Sequence, residues 1–328
     1  MIKLLKNNVV LAFIATIGLT GVLFYIRYIN GFNIETNGGM PLYNALLQIL
    51  PVHFSNVYVC ITYFLIIYQA LFLNYILVSN EVLPKNTWLF APVYALLLCF
   101  IPQFVTFNPV LVSGSFIIWA FDKILKSYKS NHTLALDFDI GLIIGVASLF
   151  YLPMVLKSIL FAIGILILKP FSWRDWVVFL LGLLLPFFLL FVYFFLTNNE
   201  SLIIIKGNEF KPAINWQQVI PTNFGISGGF LAILLVLSAF MVVNQFNKSV
   251  IKIRSTRQVT LATGIVAILV LLVNTPQTLY PFTLFCPAFS FLITFYLINI
   301  KRYWIGECIF WMLIAAVFFN HLIIATAR

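Results

Sequence analysis

The sequence predicts an all-α, polytopic transmembrane helix bundle, a single integral membrane domain over residues 1–328 with no separate soluble domain. Composition is the first reason: 62% of the residues are hydrophobic, only 9% are charged, and the mean hydropathy is +1.06. A water-soluble globule of this length needs more polar surface. Run length is the second reason, because long, unalternated apolar runs such as Val177–Leu196 suit membrane helices of about 20 residues, not barrel strands.

The third reason is the placement of the basic residues, which also predicts the topology. The net charge of +10 does not indicate a nucleic-acid partner, because Lys and Arg occur in small groups along the chain instead of one stripe. Fourteen of the nineteen lie in alternate gaps between apolar runs, as in cytoplasmic loops, so the N-terminus is expected inside. These fourteen are Lys3, Lys6, Lys85, Lys123, Lys126, Lys129, Lys169, Arg174, Lys248, Lys252, Arg254, Arg257, Lys301 and Arg302.

This alternation divides the chain into about eleven membrane segments. Because an odd number of crossings exchanges sides, the C-terminus is expected outside. The segments are Val9–Ile26, Val57–Val78, Leu89–Phe107, Pro109–Phe121, Ile140–Leu152, Met154–Leu168, Trp176–Leu196, Phe224–Val243, Val259–Val273, Phe282–Ile300 and Tyr303–Ala325.

Two pairs of these segments are short for two full crossings. Residues 140–168 are interrupted at Pro153, which removes a backbone donor and disfavours helix in the residue before it. Residues 89–121 pose the same problem, with a turn expected near Asn108 and Pro109. In both places we therefore expect short tilted helices or re-entrant hairpins that pack against neighbouring helices.

Polar residues and glycines inside the predicted spans indicate helix packing. Gly141 and Gly145 are expected to let two helices approach closely. The amides and one histidine within the spans are expected to form interhelical hydrogen bonds. These residues are Gln69, Asn74, Gln103, Asn274, Gln277, Asn320 and His321.

Cysteine and histidine spacing gives no sign of a metal site. The four cysteines lie inside predicted spans without a C-x-x-C pair, which indicates apolar packing, and the three histidines are far apart in the sequence. The sequence therefore implies no metal, and it identifies no cofactor.

The first external loop carries the most suggestive chemistry. It starts at Arg27, contains Glu35 and ends near His53, and Pro41 is placed to begin a short interfacial helix. This arrangement would hold Glu35 just above the membrane as a general base, with Arg27 or His53 nearby to bind a lipid-linked substrate. A solvated acid beside an interfacial helix is the alternative interpretation.

Further substrate-binding candidates come from two other regions. Lys157 follows Pro153 by one turn near the predicted outer face. There it is expected to snorkel outward, or to reach an anionic group such as a lipid-linked phosphate. In the second external loop, Glu209 and Lys211 are expected to shape the acceptor site.

The order of features from Arg27 to Leu50 resembles the first external loop of lipid-linked glycosyltransferases of the GT-C superfamily. In that family, an acidic catalytic residue on this loop is followed by an interfacial helix. The likeness covers about the first 80 residues. It implies Glu35 as the catalytic residue and a polyprenyl-phosphate sugar as the substrate.

A second resemblance covers most of the chain. The run from Gly141 to Trp176 is similar to a polytopic inner-membrane family of Bacteroidota bacteria that has no assigned activity. The residues that carry this likeness are Leu149, Phe150, Tyr151, Leu152, Pro153, Pro170, Phe171, Arg174, Asp175 and Trp176. The resemblance implies a location, the bacterial inner membrane.

Three functions stay open at this point. The first is a glycosyltransferase-like enzyme of envelope biogenesis that acts on a lipid-linked sugar at the outer face. The second is a non-catalytic membrane subunit of an envelope assembly, secretion or motility complex, whose partners are other envelope membrane proteins. The third is a transporter of lipids or small molecules, which predicts a polar cavity at mid-membrane. Membrane lipids are expected partners in every case, and whether the protein is an enzyme is left open.

Overall fold

The fold is helical throughout the part of the chain that the structure describes. The computed structural model describes residues 8–35, 39–50, 55–84, 87–128, 133–169, 172–197, 225–246, 251–273, 279–300 and 302–326. Of these residues, 86% are helical and none forms a strand. The predicted all-α class is confirmed.

The described residues contain twelve α-helices and three 3-10 segments. The α-helices are α1 (Val9–Ile29), α2 (Pro41–Ile49), α3 (Ser55–Ser79), α4 (Phe90–Leu98), α5 (Pro109–Lys126), α6 (Thr133–Ser148), α7 (Ser158–Leu168), α8 (Trp173–Leu196), α9 (Gly225–Phe246), α10 (Ile251–Val273), α11 (Cys286–Asn299) and α12 (Tyr303–Thr326). The 3-10 segments are Pro102–Phe104, Leu152–Lys157 and Tyr280–Phe285.

Seven helical stretches among the described residues are long and apolar enough to cross a membrane. This confirms a multi-pass membrane protein. The stretches are Val9–Ile29, Ser55–Ser79, Trp173–Leu196, Gly225–Asn244, Lys252–Leu272, Tyr280–Asn299 and Tyr303–Leu322. The other four predicted segments fall on shorter or more polar pieces, in the two places where the sequence predicted short helices.

The predicted segment Leu89–Phe107 is not one helix. Helix α4 has nine residues, all of them buried, and it ends at Leu98. A short 3-10 turn follows, with Pro102 at its start, because proline lacks the donor that a continuing helix needs. The chain then turns at Asn108, whose side-chain oxygen accepts a hydrogen bond of 2.7 Å from the backbone N–H of Leu111 and so caps α5.

The second short pair also breaks, but the first helix ends five residues before Pro153. Helix α6 ends at Ser148, and the chain resumes as a 3-10 segment at Leu152 that continues into α7. Pro153 lies in the first turn of this segment, a position where its missing N–H costs nothing. The proline therefore starts the second piece instead of breaking the first.

Helices α6 and α8 pack with their backbones in contact, through glycines on both helices. A Cβ atom added to Gly141 would lie 2.2 Å from the carbonyl oxygen of Phe179, and one added to Gly182 would lie 2.3 Å from that of Phe138. Gly145 faces the carbonyl oxygen of Leu183 in the same way, at 2.6 Å. The predicted role of Gly141 and Gly145 in close helix packing is confirmed.

Ion pairs join helix ends on one side of the bundle. Lys169, just after α7, lies 2.7 Å from Asp137 of α6 and 3.3 Å from Asp175 of α8. Burial raises the pKa of the Asp137 carboxyl, and the hydrogen bond and charge of Lys169 oppose that rise. Glu81, after α3, pairs with Lys252 of α10 at 3.3 Å. We call this side of the bundle, marked by these five residues, the Asp137 end.

Backbone hydrogen bonds join helix ends on the other side. The N–H of Glu35 donates to the carbonyl of Phe107 at 2.9 Å, and the N–H of Met40 donates to the carbonyl of Phe150 at 3.2 Å. We call this side, formed by residues 31–50 and the turns at Phe107 and Phe150, the Glu35 end. Helices α3, α5 and α6 each run from one end to the other.

Candidate functional site

The loop that carries Glu35 is fixed against the start of α5. Its backbone N–H bonds to the carbonyl of Phe107, and its own carbonyl accepts a hydrogen bond of 2.7 Å from the hydroxyl of Tyr43. The same hydroxyl lies 3.3 Å from the carbonyl oxygen of Phe107. The backbone at Glu35 is thus held at both its donor and its acceptor, and the side chain is only partly buried.

Helix α2 contacts this loop through Tyr43 and forms as predicted. It starts with Pro41 in its first turn. The N–H groups of Met40 and Leu42, which a helix start leaves without helical acceptors, bond to the carbonyls of Phe150 and Leu149, both at 3.2 Å. The turn after α6 therefore serves as the cap of α2, and it ties the Glu35 loop to the membrane helices.

Tyr43 is the residue that organises the Glu35 end. It is fully buried, and its ring stacks on that of Phe107, which in turn contacts Tyr58. Burial raises the pKa of Tyr43, and the nearby Tyr280, Glu35 and Tyr58 raise it further. The hydroxyl therefore stays protonated and acts as a donor to the Glu35 backbone.

Arg27 lies at the same end, in the last turn of α1. The side chain is buried, and its positive charge suits the carbonyl terminus of its helix. Arg27 is also close enough to act electrostatically on His321 of α12. Arg27 and Glu35 are thus the two predicted site residues that the structure places at one end of the bundle.

His321 and Asn320 satisfy the end of the broken helix α4. The amide of Asn320 donates to the carbonyl of Phe100 at 2.9 Å, and Nε2 of His321 lies 2.9 Å from the carbonyl oxygen of Cys99. Carbonyls at a helix end inside a membrane have no water to bond, so these side chains supply the partners. Their predicted interhelical hydrogen bonds are confirmed.

Of the other predicted amides, Asn274 and Gln277 lie outside the described residues, and Gln69 and Asn74 give different results. Gln69 of α3 donates to the carbonyl of Leu111 at 2.7 Å and to the hydroxyl of Ser115 at 2.9 Å, and it accepts from Tyr94, so its interhelical role is confirmed. Asn74, one turn and a half further along α3, is fully buried and has no hydrogen-bond partner among the described residues. For Asn74 the prediction is wrong.

Lys157 does not snorkel to the Glu35 end, which corrects that prediction. The side chain is 3% exposed, and its Nζ atom lies 3.4 Å from the carbonyl oxygen of Thr263, near the middle of α10. It borders a cavity of about 30 Å³ between α3, α5, α7, α10 and α11. No residue of the Glu35 loop is among the described residues that line this cavity. The role of Lys157 in binding a lipid-linked phosphate stays a prediction.

Three predicted site residues, His53, Glu209 and Lys211, lie outside the described residues. In the described part of the chain, no group of three His, Cys, Asp or Glu side chains is arranged to hold a metal ion. The sequence did not single out Tyr43 or the contact of Glu35 with Phe107. The sequence feature that could have identified Tyr43 is its position as a polar aromatic residue two positions after Pro41, the proline that starts α2.

In comparisons with known proteins, no protein-family model, no curated protein and no solved structure matches the chain.

Proposed function

We propose that the protein is a glycosyltransferase-like enzyme of the bacterial inner membrane, which transfers a sugar from a polyprenyl phosphate at the outer face. The observation that carries the proposal is the backbone of Glu35, which hydrogen bonds to Phe107 and to Tyr43 of α2 hold in place. An acid on a loop after the first span, followed by a short helix at the same end of the bundle, is the arrangement that a membrane-surface general base needs.

The orientation of the proposal follows from charge. The Asp137 end collects Lys123, Lys126, Lys169 and Lys252, which supports a cytoplasmic location for it. The Glu35 end then faces outward, the N-terminus lies inside and the C-terminus outside. Eleven crossings follow if both broken pairs, α4–α5 and α6–α7, pass through the membrane.

The proposed chemistry needs one base and one cation. The Glu35 carboxylate takes the proton of an acceptor hydroxyl, whose oxygen then bonds to the anomeric carbon of the sugar. The bond from that carbon to the phosphate oxygen breaks, and polyprenyl phosphate leaves with the electron pair. Arg27 is the predicted cation that lies at the same end among the described residues, and it favours the negative charge that builds on the leaving phosphate.

The cavity beside Lys157 does not support the transporter alternative. A volume of about 30 Å³ has room for about one or two water molecules. A lipid or a sugar needs a space of at least a few hundred cubic ångströms. The outward-facing Glu35 end is the more suitable place for chemistry on a lipid-linked substrate.

The test replaces Glu35→Gln, which keeps the size of the side chain and removes the base. Complementation of a deletion strain with the variant should leave lipid-linked sugar intermediates accumulated to the level of the deletion. Glu81→Gln is the matched control, because Glu81 lies at the other end in a half-exposed ion pair. Wild-type glycan and lipid profiles with Glu35→Gln, beside an altered profile in the deletion strain, would exclude Glu35 as the base.

A further inference from the structure

One lysine among the described residues, Lys157, projects into the middle of the helix bundle. Lys157 ends the 3-10 segment Leu152–Lys157, and its side chain points toward α10, where Nζ lies 3.4 Å from the carbonyl oxygen of Thr263. Thr263 lies near the middle of α10, and the cavity-lining residues Ile117 and Ile118 lie near the middle of α5. The ammonium group is therefore far from either end of the bundle.

The charge of this lysine has no opposite charge nearby in the part of the chain that the structure describes. Among the described residues, no carboxylate lies within 4 Å of Lys157, and the carbonyl of Thr263 is its one hydrogen-bond acceptor. Burying an ammonium group without a counter-charge is costly, and ionisable side chains inside a membrane usually mark functional sites. A bound anion would supply the missing charge.

The adjoining cavity limits the size of such an anion. Its volume is about 30 Å³, so a bound ion or molecule can be about as large as one or two water molecules. Most of its lining is apolar, from residues such as Leu73 and Leu160, and its polar groups are Lys157, Thr260 and Thr263. A phosphate ester, a lipid headgroup or a sugar is too large for this space, whereas a single halide ion is not.

The two threonines can supply donors beside the ammonium group. The Oγ1 of Thr260 donates to the carbonyl of Thr256 at 2.9 Å, and that of Thr263 donates to the carbonyl of Thr260 at 2.6 Å. Carbonyls inside a helix already accept from the backbone, so these side-chain bonds are dispensable. Each hydroxyl can rotate and donate to an anion in the cavity.

We propose that Lys157, Thr260 and Thr263 form a binding site for one small monovalent anion of the halide class at the centre of the bundle. The site is separate from the proposed function at the Glu35 end, because none of its residues belongs to that end. Either proposal can fail without the other.

The test measures thermal unfolding of the purified full-length protein in detergent. Sodium chloride or sodium bromide is compared with sodium gluconate at equal ionic strength and pH, since gluconate is too large for the cavity. At halide concentrations about 100-fold above Kd, binding to the folded state alone should raise Tm by about 5 °C.

Substitutions test whether the rise in Tm with halide comes from binding at this site. Lys157→Met should abolish the difference between halide and gluconate, and Thr263→Val should raise the halide concentration for half-maximal effect about tenfold. Lys126→Met is the control, because Lys126 pairs with Asp122 at the Asp137 end and is half-exposed; it should keep the full halide effect.

Two results would overturn the proposal. One is an equal Tm in halide and gluconate for the wild type. If that Tm also rises as pH rises, the amine is buried uncharged. The other is a halide effect that persists in Lys157→Met. Should Lys157→Met fail to fold, Thr263→Val decides the question, because it leaves the charge in place.

Discussion

Lys169 and Lys157 are both buried lysines, but their surroundings differ. Lys169 contacts two carboxylates, and the side-chain exposures of the three residues are 6% for Lys169, 0% for Asp137 and 7% for Asp175. Lys157 contacts one carbonyl oxygen and a small cavity. The first lysine completes a network of charges that joins three helices, whereas the second adds a charge that the described residues leave uncompensated. Burial alone therefore does not tell which lysine is structural.

The largest expected effect is at Lys169. Replacing Lys169→Met leaves two buried carboxylates without their cation, so we expect a loss of about 3–5 kcal/mol in the free energy of unfolding. Denaturant titration of the purified protein measures it. The pair of Lys252 and Glu81, in which both side chains are half-exposed, gives the control, since Lys252→Met should cost at most about 1 kcal/mol. Equal effects of the two variants would show that the network at Lys169 is no stronger than a surface pair.

Lys157→Met should have the opposite sign. Methionine fits a similar volume and removes an uncompensated buried charge, so in gluconate, without halide, we expect the free energy of unfolding to rise by about 1–4 kcal/mol. The same denaturant titration tests it. A destabilisation as large as that of Lys169→Met would remove the contrast between the two lysines.

Glycine substitutions compare the helix packing of α8, whose Asp175 contacts Lys169, with that of α7, which follows Lys157. Gly182→Ala places a Cβ atom against the backbone of α6, which cannot shift easily, so we expect a loss of about 1–3 kcal/mol. In α7, near Lys157, Gly164→Ala meets a methyl group of Ile124, which can move, and should cost less. Thermal unfolding of both variants measures the difference. A larger cost for Gly164→Ala would contradict the backbone contact between α6 and α8.

The smallest stability effect is expected at the Glu35 end. Tyr43→Phe keeps the ring stacked on Phe107 and removes the hydroxyl that bonds to the Glu35 carbonyl, so we expect a cost of about 1 kcal/mol. If Tyr43 positions the base, its loss should lower kcat for sugar transfer more than it changes KM. Tyr68→Phe, on the half-exposed face of α3, is the control. An unchanged kcat would limit Tyr43 to a structural role.

The sequence predicted the helix class, the membrane location and most helix bounds, because these depend on local composition and run length. It also predicted the turn at Asn108 and the helix that starts at Pro41, since capping and proline geometry act over a few residues. The break in residues 89–107 was only partly predicted. Its position at Leu98 depends on Asn320 and His321, which bond to the freed carbonyls from the far end of the chain.

The candidate site was predicted less well than the fold. Glu35 and Arg27 lie at one end of the bundle as expected, since both are near the same predicted loop. Lys157 departs from the prediction, because the direction of its side chain is set by the space between α3, α5 and α10. Snorkelling applies to a lysine whose stem faces lipid, and this one faces other helices.

Composition and run length were enough to predict that lipid surrounds this protein and that its backbone is helical. Apolar runs of this length must satisfy their backbone groups internally, whatever their neighbours are. Which buried charges have partners depends instead on how the helices pack. Asp137 and Lys169 are 32 positions apart and meet because α6, α7 and α8 pack together, while Lys157 meets α10 over 106 positions. The energy of a buried charge depends on the groups within a few ångströms, and those groups come from distant parts of the chain.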